Sequence, residues 1–278
     1  MDQGSRIITQ EQARQRWLDS FKPRDGKKYF SSGFKTHDQA GKFLRSSQYV
    51  VAARPGVGKT AYLISLANNL VRSGIEVIYA SLEIPITRLW NRLACLHDKT
   101  LTLRDLNESD ENPTPDWLKR IEDLSRKLVM FSPMFFEEKD FKLFCETMMQ
   151  TIKRGSNSCL MVDYAGLFTL KGLGPAERYF LMSEVAKQLS ILSTALDIPV
   201  VTAVQFNRGI DQRKEKAPML SDLRDTGEWE NHSRGVFMLM REDSGVLDVY
   251  VKKNTEGPSD IYYSLSFDGP RAAVEEMD

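Results

Sequence analysis

A segment that ends in Gly58-Lys59-Thr60 carries residue types able to bind the phosphates of a nucleotide. It follows an apolar, β-type run at 48–53, and a helix-forming sequence begins directly after it. In this order, loop N–H groups and the positive end of the helix dipole face the phosphates, the lysine pairs with them, and the threonine hydroxyl binds Mg²⁺. Ala53 stands where the usual motif has its first glycine, but the flanking elements favour a P-loop over a chance turn. The predicted nucleotide-binding residues are Arg54, Pro55, Gly56, Val57, Gly58, Lys59, Thr60, Ala61 and, on a later strand, Asp163.

Three more polar side chains follow predicted apolar strands, at Glu83, Asp163 and Gln205. Because ligands of open parallel sheets bind at the carboxyl ends of the strands, we expect all three near the P-loop. Nucleotide hydrolysis needs a phosphate cradle, a metal ion and a group that orients or deprotonates water. Thr60 and Asp163 are the predicted Mg²⁺ ligands, the aspartate acting through water. Glu83 is the candidate base, Lys59 the catalytic cation and Gln205 the candidate sensor of the γ-phosphate. Each alone has an ordinary alternative as a cap or turn residue, but together they predict a nucleotide hydrolase.

Alternating strand and helix signals run through the chain from residue 47. The strand candidates are continuous apolar runs, as expected for strands that helices cover on both faces. They lie at 48–53, 76–81, 128–132, 158–163 and 199–204, with helix candidates at 59–72, 85–97, 115–127, 139–153 and 176–196. Short polar turns separate three further runs at 235–241, 246–253 and 261–267, which predicts antiparallel strands. The predicted fold class is α/β, with a mostly parallel, doubly wound sheet and antiparallel C-terminal strands.

The composition limits the partners and the cellular compartment that can be expected for this protein. The 278 residues contain 38 Lys and Arg and 38 Asp and Glu, so the net charge is zero. A nucleic-acid partner would therefore have to meet a local basic surface or a pore built by several subunits. The three cysteines lack metal-ligand spacing and are expected to be reduced thiols of a cytoplasmic protein. No apolar run is long enough for a membrane span, and the N-terminus has no signal-peptide pattern.

Residues 1–28 are predicted to form a separate N-terminal segment, with the main domain at 29–278. Thr9 and Gln12 have the spacing of a capping box. An apolar stripe follows on one helical face, at Ala13, Trp17, Leu18 and Phe21. A short helix with such a stripe needs a surface to cover it. Two alternatives stay open, since the helix packs either on its own domain or on a neighbouring subunit.

Six motifs are spread along the main domain. They are Ser32-Gly33-Phe34, Ala52-Ala53-Arg54-Pro55 through Gly58-Lys59-Thr60, Ser81-Leu82-Glu83-Ile84-Pro85, Val162-Asp163-Tyr164, Val204-Gln205-Phe206-Asn207-Arg208, and Ser221-Asp222-Leu223-Arg224-Asp225-Thr226-Gly227. With these motifs the chain resembles the ATPase domain of the DnaB-type replicative helicases, a RecA-like, ring-forming family. The resemblance implies a RecA-like P-loop NTPase fold, with Glu83 as the catalytic base and Gln205 as the phosphate sensor. It also implies a ring around single-stranded DNA, with ATP sites between subunits.

The chain departs from this family in three places, one of which is Asn231-His232-Ser233-Arg234, where the family has acidic and small residues. Residues 1–28 are expected to supply at most a linker helix in place of the family's N-terminal domain, the usual platform for primase and loader. The family also sends a lysine and an arginine finger to the neighbouring subunit from a Lys-Gln-Arg-Asn-Gly-Pro segment. Aligned on Gly257-Pro258, Lys253 keeps the lysine as a catalytic residue, but Thr255 stands at the arginine position. Because an arginine finger contributes on the order of 10³–10⁵ in rate, this predicts slow hydrolysis or a replacement cation. The unranked candidates for a replacement are Lys252, Arg208 and Arg234.

The basic segment 206–222 begins directly after Gln205. One interpretation is an ordinary solvated loop. The other is a pore loop that contacts DNA phosphates, which would make binding sequence-independent and sensitive to salt. The resemblance adds a contact by the side chain of Arg224 and main-chain contacts by Asp225 and Gly227. The predicted DNA-binding residues are therefore Arg208, Arg213, Lys214, Arg224, Asp225 and Gly227, with the loop 171–174 as a second candidate.

We therefore predict an ATP- and Mg²⁺-dependent DNA helicase or translocase of the DnaB type that acts on single-stranded DNA in replication. A homo-oligomer, most simply a hexamer, is expected, with primase, a loader or other replisome proteins as partners and no membrane. The expected location is the cytoplasm, or the host cytoplasm for a phage protein. Two alternatives stay open. The first is another RecA-like ATPase, of the recombinase or KaiC-like branch. The second is a paralogue with weak ATPase activity that serves as a structural or regulatory subunit of a replication complex.

Overall fold

The computed structural model describes most of the main domain and one N-terminal helix. The described residues are 10–19, 28–107, 116, 118–120, 122–123, 131–170, 172, 175–207, 209–210, 213, 217–223, 227–242 and 245–277.

A nine-stranded sheet forms the centre of the described structure, and a separate two-stranded pair lies beside it. The strands are β1 Tyr29–Phe30, β2 Phe43–Leu44, β3 Ser47–Ala53, β4 Glu76–Ser81, β5 Phe131–Phe135, β6 Ser158–Asp163, β7 Pro199–Gln205, β8 Gly235–Met240, β9 Val246–Asn254, β10 Ile261–Asp268 and β11 Ala273–Glu276. The large sheet has the strand order β11-β10-β9-β8-β3-β7-β6-β4-β5, and β1 and β2 form the antiparallel pair. The six strands from β8 to β5 run parallel, and β9, β10 and β11 continue the sheet in antiparallel pairs. The predicted mostly parallel sheet with antiparallel C-terminal strands is thus confirmed.

Helices cover both faces of this sheet. The helices of the described residues are α1 Gln10–Asp19, α2 Lys35–Ala40, α3 Lys59–Arg72, α4 Ile86–His97, α5 Leu103–Asn107, α6 Phe141–Thr151, α7 Arg178–Leu196 and α8 Glu228–His232. Short 3₁₀ turns lie at Ala165–Leu167, Pro175–Glu177 and Leu220–Asp222. No helix among the described residues is both long and apolar enough to cross a membrane.

Two apolar cores lie on opposite faces of the sheet. Because side chains alternate along a strand, Val51 of β3 belongs to the core under α3, while Val50 belongs to the core under α6 and α7. Every residue of β3 and of β6 is buried. Their apolar runs without alternation therefore reflect burial on both faces, as predicted.

The strand predicted at 128–132 runs three residues further, to residue 135. The strand is Phe131–Phe135, which pairs with β4 through Val77–Ser81, and 128–130 lie outside the described residues. Pro133 lies within it, and a strand at the edge of a sheet tolerates this residue because its missing N–H is not needed there. The helix predicted at 115–127 is helical at its described positions, 116, 118–120 and 122–123.

The N-terminal segment is described only as the helix Gln10–Asp19 and residue 28. The side chains of Ala13 and Trp17, and the whole of Phe21, lie outside the description. The docking of the stripe therefore stays a prediction, as does the boundary between 1–28 and 29–278.

His37 of α2 is fully buried beside the helix that follows the P-loop. Its Nδ1 lies 2.6 Å from Tyr263 Oη and 3.2 Å from Tyr62 Oη, and its ring packs on Phe237. Its Nε2 is buried without a hydrogen-bond partner among the described residues. Burial lowers the pKa of His37 from 6.5 to about 4, against the opposing charge of Asp38. The native structure therefore holds this ring neutral.

Replacing His37 with Asn should flatten the pH dependence of stability. A histidine whose native pKa is depressed contributes stability above its unfolded pKa, and this is lost as pH falls. Between pH 7 and pH 5 the unfolded wild type takes up a proton at this ring and the native state does not, which lowers the free energy of unfolding by about 2 kcal/mol. Urea unfolding at both pH values measures this. The deficit of His37→Asn at pH 7 should shrink by about that amount at pH 5, and an unchanged deficit would contradict the burial of a neutral ring.

Candidate nucleotide-binding site

The loop between β3 and α3 has the backbone shape of a phosphate cradle. Gly56 has φ +80° and Gly58 has φ +118°, both in the left-handed region that favours glycine. A Cβ on Gly58 would also lie 2.8 Å from Phe267 Cε2. Gly58 is the N-cap of α3 and its carbonyl accepts from Tyr62 N at 2.9 Å. Since glycine has no capping side chain, an anion can take that place at the helix N-terminus.

Lys59 lies on the first turn of α3 between two strand ends. Its Nζ donates to the carbonyl oxygen of Val204 at 3.4 Å and lies 4.5 Å from the centre of the Tyr164 ring. Burial lowers the pKa of Lys59, while the negative charges of Asp163 and Glu83 raise it. The two predicted carboxylates therefore act on the same ammonium group, as the strand-end argument required.

Asp163, the last residue of β6, forms hydrogen bonds with residues of α3 and β4. Its Oδ2 accepts from Thr60 Oγ1 and from Tyr79 Oη, each at 2.8 Å. Burial and the charge of Asp163 raise the pKa of Tyr79 well above its usual value, so the phenol stays protonated and donates. The other oxygen, Oδ1, is buried without a hydrogen-bond partner among the described residues.

The residues around Asp163 fit a hydrated Mg²⁺. This ion takes oxygen ligands, keeps several of its waters and is held by one or two protein groups together with substrate phosphates. The Thr60 hydroxyl and the unpartnered Oδ1 of Asp163 are such oxygens. A water of the ion would also satisfy Oδ1, which otherwise carries the cost of an unpaired buried acceptor.

Glu83 lies in a tight turn after β4. The amide of Leu82 donates to the carbonyl of Asp163 at 2.8 Å, and Ser81 Oγ both donates to the Ile84 carbonyl and accepts from its amide. These bonds anchor the backbone on either side of Glu83. Its side chain is exposed. Glu83 therefore lies on a fixed turn, open to solvent, and its role as the base stays a prediction.

Gln205 ends β7 directly beside Ala53, its partner in the parallel ladder. The chain then continues into a second set of backbone bonds. Phe206 forms an antiparallel bridge with Leu223, and the amide of Asn207 donates to the carbonyl of Asp222 at 2.8 Å. The predicted phosphate sensor is therefore connected through two residues of backbone to the segment that carries the predicted DNA-binding motif.

The predicted DNA-binding residues are described only in part. Arg208, Lys214, Arg224 and Asp225 lie outside the described residues. Arg213 forms an ion pair with the buried Asp222 and also donates to the carbonyl of Ala217. Gly227 is the N-cap of α8. DNA contact stays a prediction for all six, and Arg213 has in addition a structural role within its loop.

Lys253 lies far from the P-loop of its own chain. In the sheet, Ala53 is level with Leu239 of β8, which is level with Val249 of β9. Lys253 is four residues further along, about 13 Å at the rise of a strand. Its Nζ donates to the carbonyl of Glu230 at 2.6 Å. Within one chain the lysine therefore does not reach the P-loop, which agrees with its predicted action on a neighbour.

Arg241 and Phe267 also border the P-loop, and sequence reasoning missed both. Arg241 Nη2 donates to the carbonyl of Gly56 at 2.9 Å, and its guanidinium lies 4.3 Å from the centre of the Phe267 ring. Phe267 in turn packs on Gly58. Arg241 follows β8 directly, and β8 is the neighbour of β3, which leads into the P-loop. The sequence does not show that these two strands are neighbours, so it could not predict this contact.

Comparisons of this chain with known proteins agree on one family. Residues 30–274 match the family described as the DnaB-like helicase C-terminal domain. A replicative DNA helicase DnaB of Geobacillus stearothermophilus is 28% identical over 231 residues, covering 78% of this chain and 49% of that protein. A probable plasmid replicative DNA helicase of Chlamydia psittaci is 30% identical over 237 residues, covering 81% of this chain and 51% of that protein. The chain spans about half the length of the curated relatives it matches.

Solved structures show the same fold. A solved ATPase domain superposes with a TM-score of 0.82 at 23% identity, and the match covers all of both chains. A DnaB-like replicative helicase, solved in a study of its interactions with primase, gives 0.82 at 21% identity and covers 98% of this chain and 69% of that one. The RadB recombinase superposes less well, with a TM-score of 0.58 at 16% identity over 90% of this chain and 100% of that one. These likenesses confirm the RecA-like fold. Because the family match runs through nearly the whole main domain, the chain belongs to the DnaB-like helicase C-terminal domain family.

Proposed function

We propose that this chain hydrolyses ATP with Mg²⁺ and couples the reaction to movement on single-stranded DNA. The observation that carries the proposal is the meeting of the P-loop with two strand ends, where Asp163 accepts from Thr60 Oγ1 through its carboxylate and from the amide of Leu82, the residue before Glu83, through its carbonyl, each at 2.8 Å. Membership of a family whose relatives are named replicative DNA helicases supports the replication role.

The reaction assigns a separate task to each side chain. Water attacks the γ-phosphorus, its oxygen forms the new bond, and the bond from that phosphorus to the β,γ-bridging oxygen breaks, so the electron pair leaves with ADP. Glu83 takes the proton from the attacking water. Lys59 pairs with the phosphate oxygens as negative charge moves towards the leaving group.

Thr60 and Asp163 would hold Mg²⁺, the aspartate through water. The ion when bound supplies charge neutralisation at the β- and γ-phosphates. The work of the chain is to orient these oxygens, and Tyr79 does so by donating to Asp163 Oδ2 at 2.8 Å. Oδ1, which has no partner among the described residues, would then be the oxygen available to a water of the ion.

Coupling to DNA would run through the backbone after β7. Loss of the γ-phosphate would release Gln205, and the bonds of Phe206 and Asn207 would pass the shift to Leu223 and Asp222. Asn207 Nδ2 adds a side-chain bond to the carbonyl of Ser221 at 3.0 Å. The DNA contacts predicted at Arg208, Arg213, Lys214, Arg224, Asp225 and Gly227 belong to this unit.

Assembly in trans completes the site. Lys253 lies about 13 Å along the sheet from the level of its own P-loop, which supports a homo-oligomer, as a ring or helical filament, in which it serves a neighbour. A hexamer with single-stranded DNA in its pore is the arrangement we propose. The segment 1–28, with its helix α1, would link adjacent subunits. The assembled ring would bind a primase, a loader or another replisome protein. The protein would act in the cytoplasm of its own cell or of a host cell.

A second candidate function rests on Thr255. With no arginine at the family's finger position, the chain would turn over ATP slowly and act as a structural or regulatory subunit of a replication complex. DNA-stimulated ATPase activity and fork unwinding by the purified chain alone separate this candidate from a motor.

Lys59→Ala should lower the ATPase rate by roughly 10²–10³, because the charge opposite the transferring phosphoryl group is lost. The measurement is phosphate release with saturating Mg²⁺ and ATP. Lys99→Ala is the matched control, since Lys99 is an exposed lysine paired with Glu275 on the surface. Full ATPase activity in Lys59→Ala would reject the proposed site.

Tyr79→Phe should weaken Mg²⁺ binding at the site by about 10-fold or more, as loss of an outer-shell donor to a metal-binding carboxylate does. The Mg²⁺ concentration for half-maximal ATPase activity measures it and should rise. Tyr49→Phe is the control, because the Tyr49 hydroxyl accepts from Leu44 N at the other end of the sheet. Equal Mg²⁺ dependence of wild type and Tyr79→Phe would show that Tyr79 does not orient Asp163.

Arg224→Ala should weaken binding of single-stranded DNA. The slope of log affinity against log salt concentration should also fall by about one, which corresponds to the loss of one phosphate contact. Fluorescence anisotropy with a labelled oligonucleotide, at several salt concentrations, gives both values. Arg72→Ala serves as the control, since Arg72 is an exposed residue at the end of α3 away from the P-loop. An unchanged affinity and slope would remove Arg224 from the DNA interface.

A further inference from the structure

A cationic corner lies where α8, β8 and the turn after β9 meet. The carbonyl of Arg234 accepts from the amide of Thr255 at 3.0 Å, so the two residues are direct backbone neighbours. The guanidinium of Arg234 forms an ion pair with Glu256, and the two side chains are 39% and 44% exposed. Lys253, which donates to the Glu230 carbonyl, lies in the same corner. Arg234 and Lys253 thus lie in one corner, the arginine paired with a carboxylate and the lysine with a backbone carbonyl.

The turn that carries this corner is held rigidly. Asn254 Nδ2 donates to the carbonyl of Ala40 at 2.7 Å, and Asn254 Oδ1 accepts from the amide of Glu256. A Cβ on Gly257 would lie 2.3 Å from the Ala40 carbonyl oxygen, so only glycine allows this approach. The amide of Arg234 is also fixed, because it donates to the Gln48 carbonyl at 2.8 Å. The backbone of Arg234 is therefore fixed on both sides, and the ion pair with Glu256 is the contact that holds its guanidinium.

The corner does not serve the P-loop of its own chain. Gly235 is level with Tyr49 of β3, while the P-loop begins after Ala53, four residues along the same strand. This separates them by about 13 Å along the sheet. A cation at this corner can act on a nucleotide only if that nucleotide is bound by another copy of the chain.

The other candidate cations are less suitable. Lys252 is ion-paired with Asp260 as Arg234 is with Glu256, but as a lysine it presents a point charge rather than a planar fork of donors. Thr255 occupies the adjacent backbone position but has no positive charge. Arg208 lies outside the described residues. Arg234 is the guanidinium that the described structure places beside Thr255.

We propose that Arg234 supplies the guanidinium that stabilises the transferring γ-phosphoryl group in the nucleotide site of a neighbouring copy of this chain. The inference rests on the proposed ATP hydrolysis, and it replaces the arginine expected at Thr255. Arg234 transfers no proton and forms no covalent bond. Its N–H groups donate to phosphoryl oxygens while the bonds at phosphorus change as described above. Glu256 holds the side chain at the surface until the neighbour's nucleotide competes for it.

Removing the guanidinium tests the proposal first. Arg234→Ala should lower the ATPase turnover by about 10³, the lower end of the range for arginine fingers, with little change in ATP affinity. Lys252→Ala is the matched control and should keep the wild-type rate. Native mass spectrometry with a non-hydrolysable ATP analogue should find both variants assembled like the wild type.

Mixing two inactive variants tests action between copies. A Lys59→Ala subunit has no functional P-loop but keeps Arg234, whereas an Arg234→Ala subunit has the reverse. In a mixed assembly, the first would present its arginine to the intact P-loop of the second. The mixture should therefore hydrolyse ATP faster than the sum of the two variants measured apart. An unfolded variant cannot produce this result.

Moving the arginine tests the position. The double variant Arg234→Ala, Thr255→Arg places a guanidinium on the adjacent backbone position and should recover much of the lost turnover. Thr255→Ala in the same Arg234→Ala background, which adds no charge, should recover none.

Each outcome bears on one of the two proposals. A wild type without Lys59-dependent hydrolysis would reject the proposed function and this inference with it. An active wild type whose rate is kept in Arg234→Ala would overturn the inference alone. So would an inactive Arg234→Ala that Lys59→Ala subunits fail to complement, because the lost activity would then not come from a guanidinium missing at a neighbour's nucleotide.

Discussion

The buried carboxylate of Asp163 is the constraint on which the rest of the site depends. It accepts hydrogen bonds from Thr60 on α3 and from Tyr79 on β4, while it ends β6 itself. A buried carboxylate is costly unless polar groups surround it. This cost fixes the relative positions of the P-loop helix and two strands. It also leaves Oδ1 without a partner among the described residues.

The parallel sheet extends this constraint to the other functional groups. All strands from β8 to β5 end at the same edge, so Glu83, Asp163 and Gln205 lie at the ends of three different strands and can be proposed to act on one ligand. The antiparallel extension has the opposite effect. Because β9 returns along β8, it carries Lys253 and the turn at 254–258 to the far end of the sheet. The P-loop thus lies at one end of the sheet, and Lys253 and Arg234 lie at the other. A site shared between subunits requires this separation.

Much of the fold was predictable because its signals are local. The helix at Lys59–Arg72 has its predicted bounds, and the C-terminal strands differ from prediction by a residue at most at each end. The strand predicted at 128–132 runs three residues further, to residue 135, since its end depends on pairing with β4 and on an edge that tolerates Pro133. The strands β1, β2 and β11 were missed. Their two to four residues are too few for a periodic pattern, and pairing with other strands defines them.

The sequence by itself determined the P-loop, the buried strands and the polar residues after them, because neighbours in the chain decide strand, loop and helix signals. The tertiary structure alone decided which strands lie side by side. The contact of Arg241 with Gly56 spans 185 residues and exists because β8 lies next to β3. The pairing of Arg234 with Glu256, and its position beside Thr255, follow from the antiparallel return of β9 along β8. Such contacts depend on sheet order, and no local pattern of residues records that order.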